Sequence, residues 1–373
     1  MRSLVALDIA PGRMFANYLD QIWDDDDALL PLDQRLPVAA KKHLLKHFGA
    51  SWLISDDGEK VKLGNGFSVE ANDALVIATS GSTGEPKGVV HTHESIIASV
   101  IAGGDRLGCS SVDHWLSCLP LAHVGGLSVL LRARHYKSEL SFGDNVDQLS
   151  IDAATKRGAN LTSLVPTVLR KLNVNSFRSV LVGGSALLSD MPANAISTYG
   201  MTETMGGVAY NGRTLDGAEI QVNNDGEIMV RGAMLFRAYI DGSNPKSDSG
   251  WFATGDLGEI INGVLTVHGR KDDLINTGGY KVWPRLVEDS INQIADISEC
   301  VVKGLPDETW GQAVCAWIVL RNQIQSLSLN DVRQHVRQTL PDYYAPKQIF
   351  IVDQIPRSAL GKVRLSDLLN LKD

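Results

Sequence analysis

Cysteine is scarce in this chain, and long apolar runs are missing. The four cysteines, Cys109, Cys118, Cys300 and Cys315, form no C-x-x-C pair, which argues against a disulfide scaffold and for a reducing compartment. No stretch approaches the roughly 20 apolar residues that a membrane-spanning helix needs. The segment Met1-Arg2-Ser3-Leu4-Val5-Ala6-Leu7-Asp8 is too short and turns acidic too soon for a secretory leader. A cytoplasmic protein without a membrane span is therefore expected. Basic charge is also in deficit. The formal net charge is −8, which excludes nonspecific nucleic-acid binding through a basic face. Internal repeats and low-complexity tracts are absent.

What is present suits a globular enzyme. A chain of 373 residues that is 44% hydrophobic can bury the cores of two or three domains. Strand-like runs at residues 75–78, 115–119, 162–165 and 179–182 are each followed by a turn and a periodic stretch. That alternation predicts a doubly wound α/β core. From residue 219 to 267 short strands separated by tight turns, such as Asn223-Asn224-Asp225-Gly226 and Asn262-Gly263, predict a small β-rich subdomain. A new α+β unit begins after Asp272, with a helix at 287–294 and strands at 300–303 and 313–320. The expected division is 1–270 for the N-terminal core and 271–373 for the C-terminal domain.

The most specific segment is Thr79-Ser80-Gly81-Ser82-Thr83-Gly84-Glu85-Pro86-Lys87-Gly88, directly after the apolar run Ala74-Leu75-Val76-Ile77-Ala78. Glycine lets a backbone approach a ligand closely, and the hydroxyls and lysine add donors suited to phosphate oxygens. The spacing is not that of a P-loop, G-x-x-x-x-G-K-[ST]. A flexible Ser/Gly linker has similar composition, but a buried strand leading straight into the loop opposes it. His91 and His93 flank a threonine and lack the further ligands a metal site needs. The run Asp24-Asp25-Asp26-Asp27 reads as a solvated surface loop.

The decamer resembles the phosphate-binding motif of the adenylate-forming superfamily, which holds acyl- and aryl-CoA ligases, stand-alone adenylation domains and luciferases. Further segments resemble that family's motifs in the family's order. Tyr199-Gly200-Met201-Thr202-Glu203-Thr204 is similar to its adenine and magnesium motif, and Thr254-Gly255-Asp256 to its ribose motif. Gly269-Arg270-Lys271-Asp272-Asp273 is similar to its hinge, and Gly278-Gly279-Tyr280-Lys281-Val282 to its glycine turn. Pro356-Arg357-Ser358-Ala359-Leu360-Gly361-Lys362 resembles its catalytic-lysine loop. The resemblance runs from about residue 75 to the end. Relatives carry well over a hundred residues before the phosphate loop, so this N-terminal region, including Leu30-Pro31-Leu32-Asp33-Gln34-Arg35-Leu36-Pro37, is abbreviated.

The resemblance implies ATP, Mg²⁺ and coenzyme A as cofactor and co-substrates, and a small carboxylic acid as substrate. Residues Thr79, Ser80, Gly81, Ser82, Thr83, Gly84 and Lys87 would hold phosphates. Gly183, Gly184, Ser185, Tyr199, Gly200 and Met201 would line adenine, with Asp256 and Arg270 on the ribose. Thr202 would reach the α-phosphate, Glu203 would bind Mg²⁺, and Lys362 would serve the charge developing at phosphorus. Asp272 would be the hinge of a mobile C-terminal domain, and Gly278 and Gly279 would face coenzyme A. His123, Gly125 and Gly126 lie in a stretch similar to the family's acyl-pocket motif. Arg132, nine residues on in an apolar run, is either a pair for a second substrate carboxylate or a helix-end arginine reaching solvent. Residues 118–127, 164–167 and 215–217 resemble the family's o-succinylbenzoate–CoA ligases. Other aryl- or short-acyl-CoA ligases, carrier-loading adenylation enzymes and a non-catalytic nucleotide-binding homologue stay open, as does assembly into a homo-oligomer.

Overall fold

The structure is a computed structural model that describes residues 2–64, 66, 69–80, 85–143, 146–183, 191–321, 327–356 and 363–371. It resolves into two compact units. One comprises Met1–Gln221, Met229–Ala253 and Ile260–Leu265; the other comprises Val222–Ile228, Thr254–Glu259 and Thr266–Asp373.

The first unit contains two seven-stranded sheets. In one, the strands Leu4–Asp8, Ala28–Pro31, Trp52–Ser55 and Asp73–Ser80 run parallel. In the other, His114–Ser117, Glu139–Phe142, Leu161–Leu164, Ser179–Val182 and Ala195–Met201 run parallel. Antiparallel partners close an edge of each, through Pro86–Thr92 in the first sheet and Gly206–Tyr210 in the second. The α/β core is thus built from two sheets. The helices His93–Leu107 and Val124–Tyr136 lie between them. Ile96, Val100, Leu127, Leu130 and Leu131 pack with the first sheet's Val5, Leu7, Leu75 and Ile77, while Ala102, Leu107, Val129 and Ala133 pack with Trp115, Leu161 and Leu181 of the second. A helix covered on both faces needs no polar stripe, which explains the apolar run Leu127-Ser128-Val129-Leu130-Leu131.

The β-rich subdomain is a four-stranded sheet in the order Ala218–Val222, Glu227–Gly232, Phe252–Ile261 and Val264–Arg270. Its tight turns fall at the two Asn/Gly segments read from the sequence.

The second unit is organised by the antiparallel strands Ile297–Asp307 and Gly311–Leu320. Side chains alternate between the faces of a strand. Val314, Ala316 and Ile318 therefore meet the helices Pro284–Ile291 and Leu329–Arg337 through Val287, Ile291, Val332 and Val336, while Ala313, Cys315 and Trp317 meet Ile355 and Leu368. With both faces covered, the strand reads as an unbroken apolar run. The four cysteines are all free thiols. No helix among the described residues is long and apolar enough to cross a membrane.

Candidate functional site

In open α/β sheets, ligands gather beyond the carboxyl ends of parallel strands. Most candidate residues of the first unit lie there. Thr79 and Ser80 end one parallel strand, Gly183 follows another, Tyr199 to Met201 end a third, and His123 lies in the connection after His114–Ser117.

The phosphate motif is a β-hairpin. Thr79 pairs with Lys87 and Ser80 with Pro86, and the returning strand ends in a capping box that starts the His93–Leu107 helix. Thr92 Oγ1 accepts from the Ser95 amide at 3.2 Å, and Ser95 Oγ accepts from the Thr92 amide at 3.1 Å. Gly81, Ser82, Thr83 and Gly84 at the tip lie outside the described residues, as do Gly184 and Ser185. The Lys87 ammonium sits 4.9 Å from the centroid of the Tyr239 ring, a cation–π contact. The Tyr239 hydroxyl in turn donates to Glu203 Oε1 at 3.0 Å. One tyrosine thus joins the lysine of the phosphate motif to the carboxylate expected to hold magnesium. Sequence reading missed Tyr239, whose position comes from pairing with Val89 across the strand edge.

Glu203 and Thr202 lie on a single 3₁₀ turn, Thr202–Thr204. Thr204 Oγ1 accepts from the Met201 amide at 3.0 Å and lies 2.6 Å from the Gly206 carbonyl, fixing the turn after the strand. Beneath it, His91 is fully buried and donates from Nε2 to the Thr202 carbonyl at 2.7 Å, while Nδ1 meets Ser95 Oγ at 3.0 Å. Burial lowers the His91 pKa to about 4, against the opposing bond to Thr202, so it supports the turn as a neutral imidazole. Gly200 has a contact reason of its own. A Cβ there would stand 1.9 Å from the Gly206 carbonyl oxygen across the sheet. At Gly183 a Cβ would come within 2.6 Å of Thr198 Oγ1. One carboxylate on an accessible turn beside a cationic phosphate loop fits Mg²⁺, which takes one or two protein carboxylates and completes its shell with phosphate oxygens and water.

His123 is the N-cap residue of the Val124–Tyr136 helix, and its Nε2 donates to Asp33 Oδ2 at 3.1 Å. Arg35 grips the same carboxylate through Nε at 2.9 Å and Nη2 at 2.7 Å. Burial pushes the Asp33 pKa up, but the bonds from His123 and Arg35 and the Arg35 charge outweigh it and hold the carboxyl well below the usual range. Asp33 and Arg35 come from the N-terminal segment, whose role sequence reading left unassigned. Gly126 packs under the connection, where a Cβ would stand 2.4 Å from the Leu119 and Pro120 carbonyl oxygens, and Gly125 lies against Leu119.

Arg132 does not reach solvent. It is 3% exposed, donates to Tyr210 Oη at 3.2 Å and to Ser128 Oγ at 3.4 Å, and lies 5.8 Å from the Trp115 ring centroid. Its Nε is buried without a partner, and among the described residues it forms no ion pair. The niche depends on Gly103, where a Cβ would be 3.1 Å from Arg132 Nε. At about 1.5 Å per residue, Arg132 lies roughly 13 Å along the helix from His123.

In the second unit, Arg270 Nη1 donates to the Thr254 carbonyl at 2.9 Å and to Asp256 Oδ1 at 3.3 Å, so the two expected ribose residues stand together. Asp272 is exposed on the Lys271–Asp273 turn. Gly278 and Gly279 form the two-residue turn between Ile275–Thr277 and Tyr280–Val282, with φ of 57° and 82°. Two successive positive φ values suit a primed hairpin turn, which glycine adopts without strain. Pro356 and Arg364 are joined by a 2.9 Å backbone hydrogen bond. Lys362, between them, lies outside the described residues.

Residues 24–240 match the AMP-binding enzyme family, and residues 286–362 match the AMP-binding enzyme C-terminal domain. The chain belongs to the AMP-binding enzyme family. It is 37% identical to the probable 2-succinylbenzoate–CoA ligase of Mycobacterium tuberculosis, over 80% of this chain and 84% of that protein. Identity to the 2-succinylbenzoate–CoA ligase of Listeria monocytogenes is 33%, over 79% of this chain and 69% of that protein. Its fold matches that of Bacillus subtilis o-succinylbenzoate coenzyme A synthetase solved with ATP and magnesium ion. The TM-score is 0.85 at 25% identity, covering 100% of this chain and 89% of that one. This AMP-binding enzyme thus has the α/β core and the small C-terminal domain anticipated from its motifs.

Proposed function

We propose that this AMP-binding enzyme is an ATP-dependent acid–CoA ligase that converts o-succinylbenzoate to o-succinylbenzoyl-CoA in menaquinone biosynthesis through an acyl-adenylate. The observation that carries the reading is the Lys87–Tyr239–Glu203 line, a phosphate-loop cation and a metal-binding carboxylate linked by one tyrosine. The names of the relatives support the acid.

The substrate carboxylate is ionised at neutral pH and needs no general base. Its oxygen attacks the α-phosphorus, the P–O bond to pyrophosphate breaks, and the acyl-adenylate remains. The coenzyme A thiol then loses its proton, sulfur bonds to the carbonyl carbon, and AMP departs with the electron pair. Catalysis therefore consists of positioning and charge neutralisation. The Thr79–Lys87 loop holds phosphates and Glu203 holds Mg²⁺, which neutralises phosphate charge. Tyr199 and Gly183 flank adenine, while Asp256 and Arg270 hold the ribose. His123, oriented by Asp33, stands beside the acyl group. Lys362 serves the adenylation step; rotation about Asp272 then brings Gly278 and Gly279 toward the thiol. We take Lys271–Asp272 as the functional boundary between the domains.

Arg132 supplies acid specificity in this reading. A buried guanidinium without a carboxylate is costly, and a diacid brings the missing partner with its second carboxyl. The test is a panel of carboxylic acids assayed for AMP and thioester with free coenzyme A. Release of AMP with o-succinylbenzoate, and far less with benzoate, supports the reading. ADP as product, or an acyl group that passes only to a carrier protein, sinks it.

A further inference from the structure

Outside the nucleotide machinery, one cluster of side chains has the makings of a metal site. His43 and His47 are four residues apart on the Val38–His47 helix, so they share a face. Their rings lie nearly parallel, 5.6 Å between centroids and 17° between planes. Glu85, two residues before Lys87 in the phosphate hairpin, reaches that face from a separate element, with Oε2 3.2 Å from His43 Nε2. His47 Nε2 meets the Pro86 carbonyl oxygen at 3.0 Å. One ligand atom from each of His43, His47 and Glu85 falls within 4.8 Å of the other two, and all three residues are exposed.

We propose that His43, His47 and Glu85 form a site for a divalent transition-metal ion such as Zn²⁺, which restrains the phosphate hairpin by tying Glu85 to the helix. Two imidazoles and one carboxylate suit zinc, nickel or cobalt; magnesium and calcium prefer oxygen ligands alone. The ion that accompanies ATP is therefore not the occupant. Zinc bonds to nitrogen and oxygen at about 2.0–2.2 Å. Drawing the three atoms round one ion needs only side-chain rotation at solvent, and water can fill the remaining position. No opposing charge is buried, so the site costs the fold little when it is empty. Lys42 and Lys46 are exposed on the same helix and oppose a dication, which sets the affinity in a moderate range.

The hairpin consequence follows from position. Glu85 immediately precedes the returning strand Pro86–Thr92, whose Lys87 pairs with Thr79. An ion that fixes Glu85 fixes the start of the strand that carries Lys87, and the ATP affinity falls.

The experiment uses the full chain without an affinity tag, since a polyhistidine tail would bind the same ions. Calorimetric titration with Zn²⁺ in excess Mg²⁺ is expected to give one ion per chain. His43→Ala and His47→Ala each weaken that binding by about 10–100-fold or more, the scale set by lesser changes around metal sites. Both histidines are exposed, so both variants fold. Affinity for a fluorescent ATP analogue, measured with Mg²⁺ in excess, drops with low Zn²⁺ in the native chain and not in His47→Ala. Absence of Zn²⁺ binding, binding that survives both substitutions, or displacement by Mg²⁺ would overturn the site. Unchanged nucleotide affinity with zinc bound would overturn the restraint. The calorimetric arm needs no turnover, so its outcome is independent of which acid the enzyme activates.

Discussion

Replacing Arg132 with methionine separates substrate recognition from folding. Methionine fills similar volume without charge. Exchange of a buried ionic group for a well-packed apolar one is often neutral or stabilising by about 1–4 kcal/mol. Against that stand two hydrogen bonds, to Tyr210 and Ser128, each contributing about 1 kcal/mol. The two effects nearly cancel, so the melting temperature should stay close to that of the native chain. Substrate binding has no such compensation. A diacid would have to bury its second carboxylate unpaired, a loss of about 2–5 kcal/mol, or about 30-fold or more in KM at roughly 1.4 kcal/mol per tenfold. Steady-state pyrophosphate release, with o-succinylbenzoate and with an analogue that keeps the activated carboxylate and lacks the second one, reads the difference. The diacid KM should rise while the analogue and ATP KM values hold. A variant that melts several degrees lower with the diacid KM unchanged would show that Arg132 is a structural residue and would refute the reasoning.

Four further outcomes are expected. Lys362→Ala should slow adenylation by about 10²–10³-fold, the usual cost of losing an electrostatic stabiliser, while thioester formation from supplied acyl-adenylate continues; equal losses in both steps contradict it. Asp272→Pro, which fixes φ and removes an amide donor, should retain pyrophosphate exchange and lose coenzyme A transfer, and unchanged transfer would move the hinge elsewhere. Asp33→Asn should lower stability by about 1–3 kcal/mol, since it weakens the acceptor for His123 and Arg35, and should slow acid activation more than it alters the ATP KM; an unaffected acid rate separates Asp33 from the site. The fourth concerns pH. His91 has a folded pKa of about 4 against 6.5, so its neutral burial is free of penalty above pH 6.5 and destabilises as pH falls from there toward 4. The urea midpoint should fall across that window, and less so in His91→Gln; identical pH slopes would show that His91 does not carry the dependence.

The sequence by itself determined the chemistry-bearing segments and their order. Loops that bind phosphate or turn tightly need particular residues at fixed spacing, and this requirement survives without coordinates. The Thr79–Gly88 motif, the Thr202-Glu203 pair and the Gly278-Gly279 turn were legible for that reason. The β-rich stretch was legible as well, because its turn residues are local signals. Tertiary structure decided what lies next to what. Tyr239 joins Lys87 to Glu203 through strand pairing between segments about 150 residues apart, and no local spacing encodes that contact. Asp33 reaches His123 across 90 residues, so a segment near the N-terminus supports a side chain that lies far along the chain. The sequence left Arg132 as either a pocket residue or a helix-end residue at solvent, because an apolar run does not say whether one face or both are covered. Two sheets enclosing its helix removed the helix-end alternative, since the side chain packs between layers with 3% of its surface exposed.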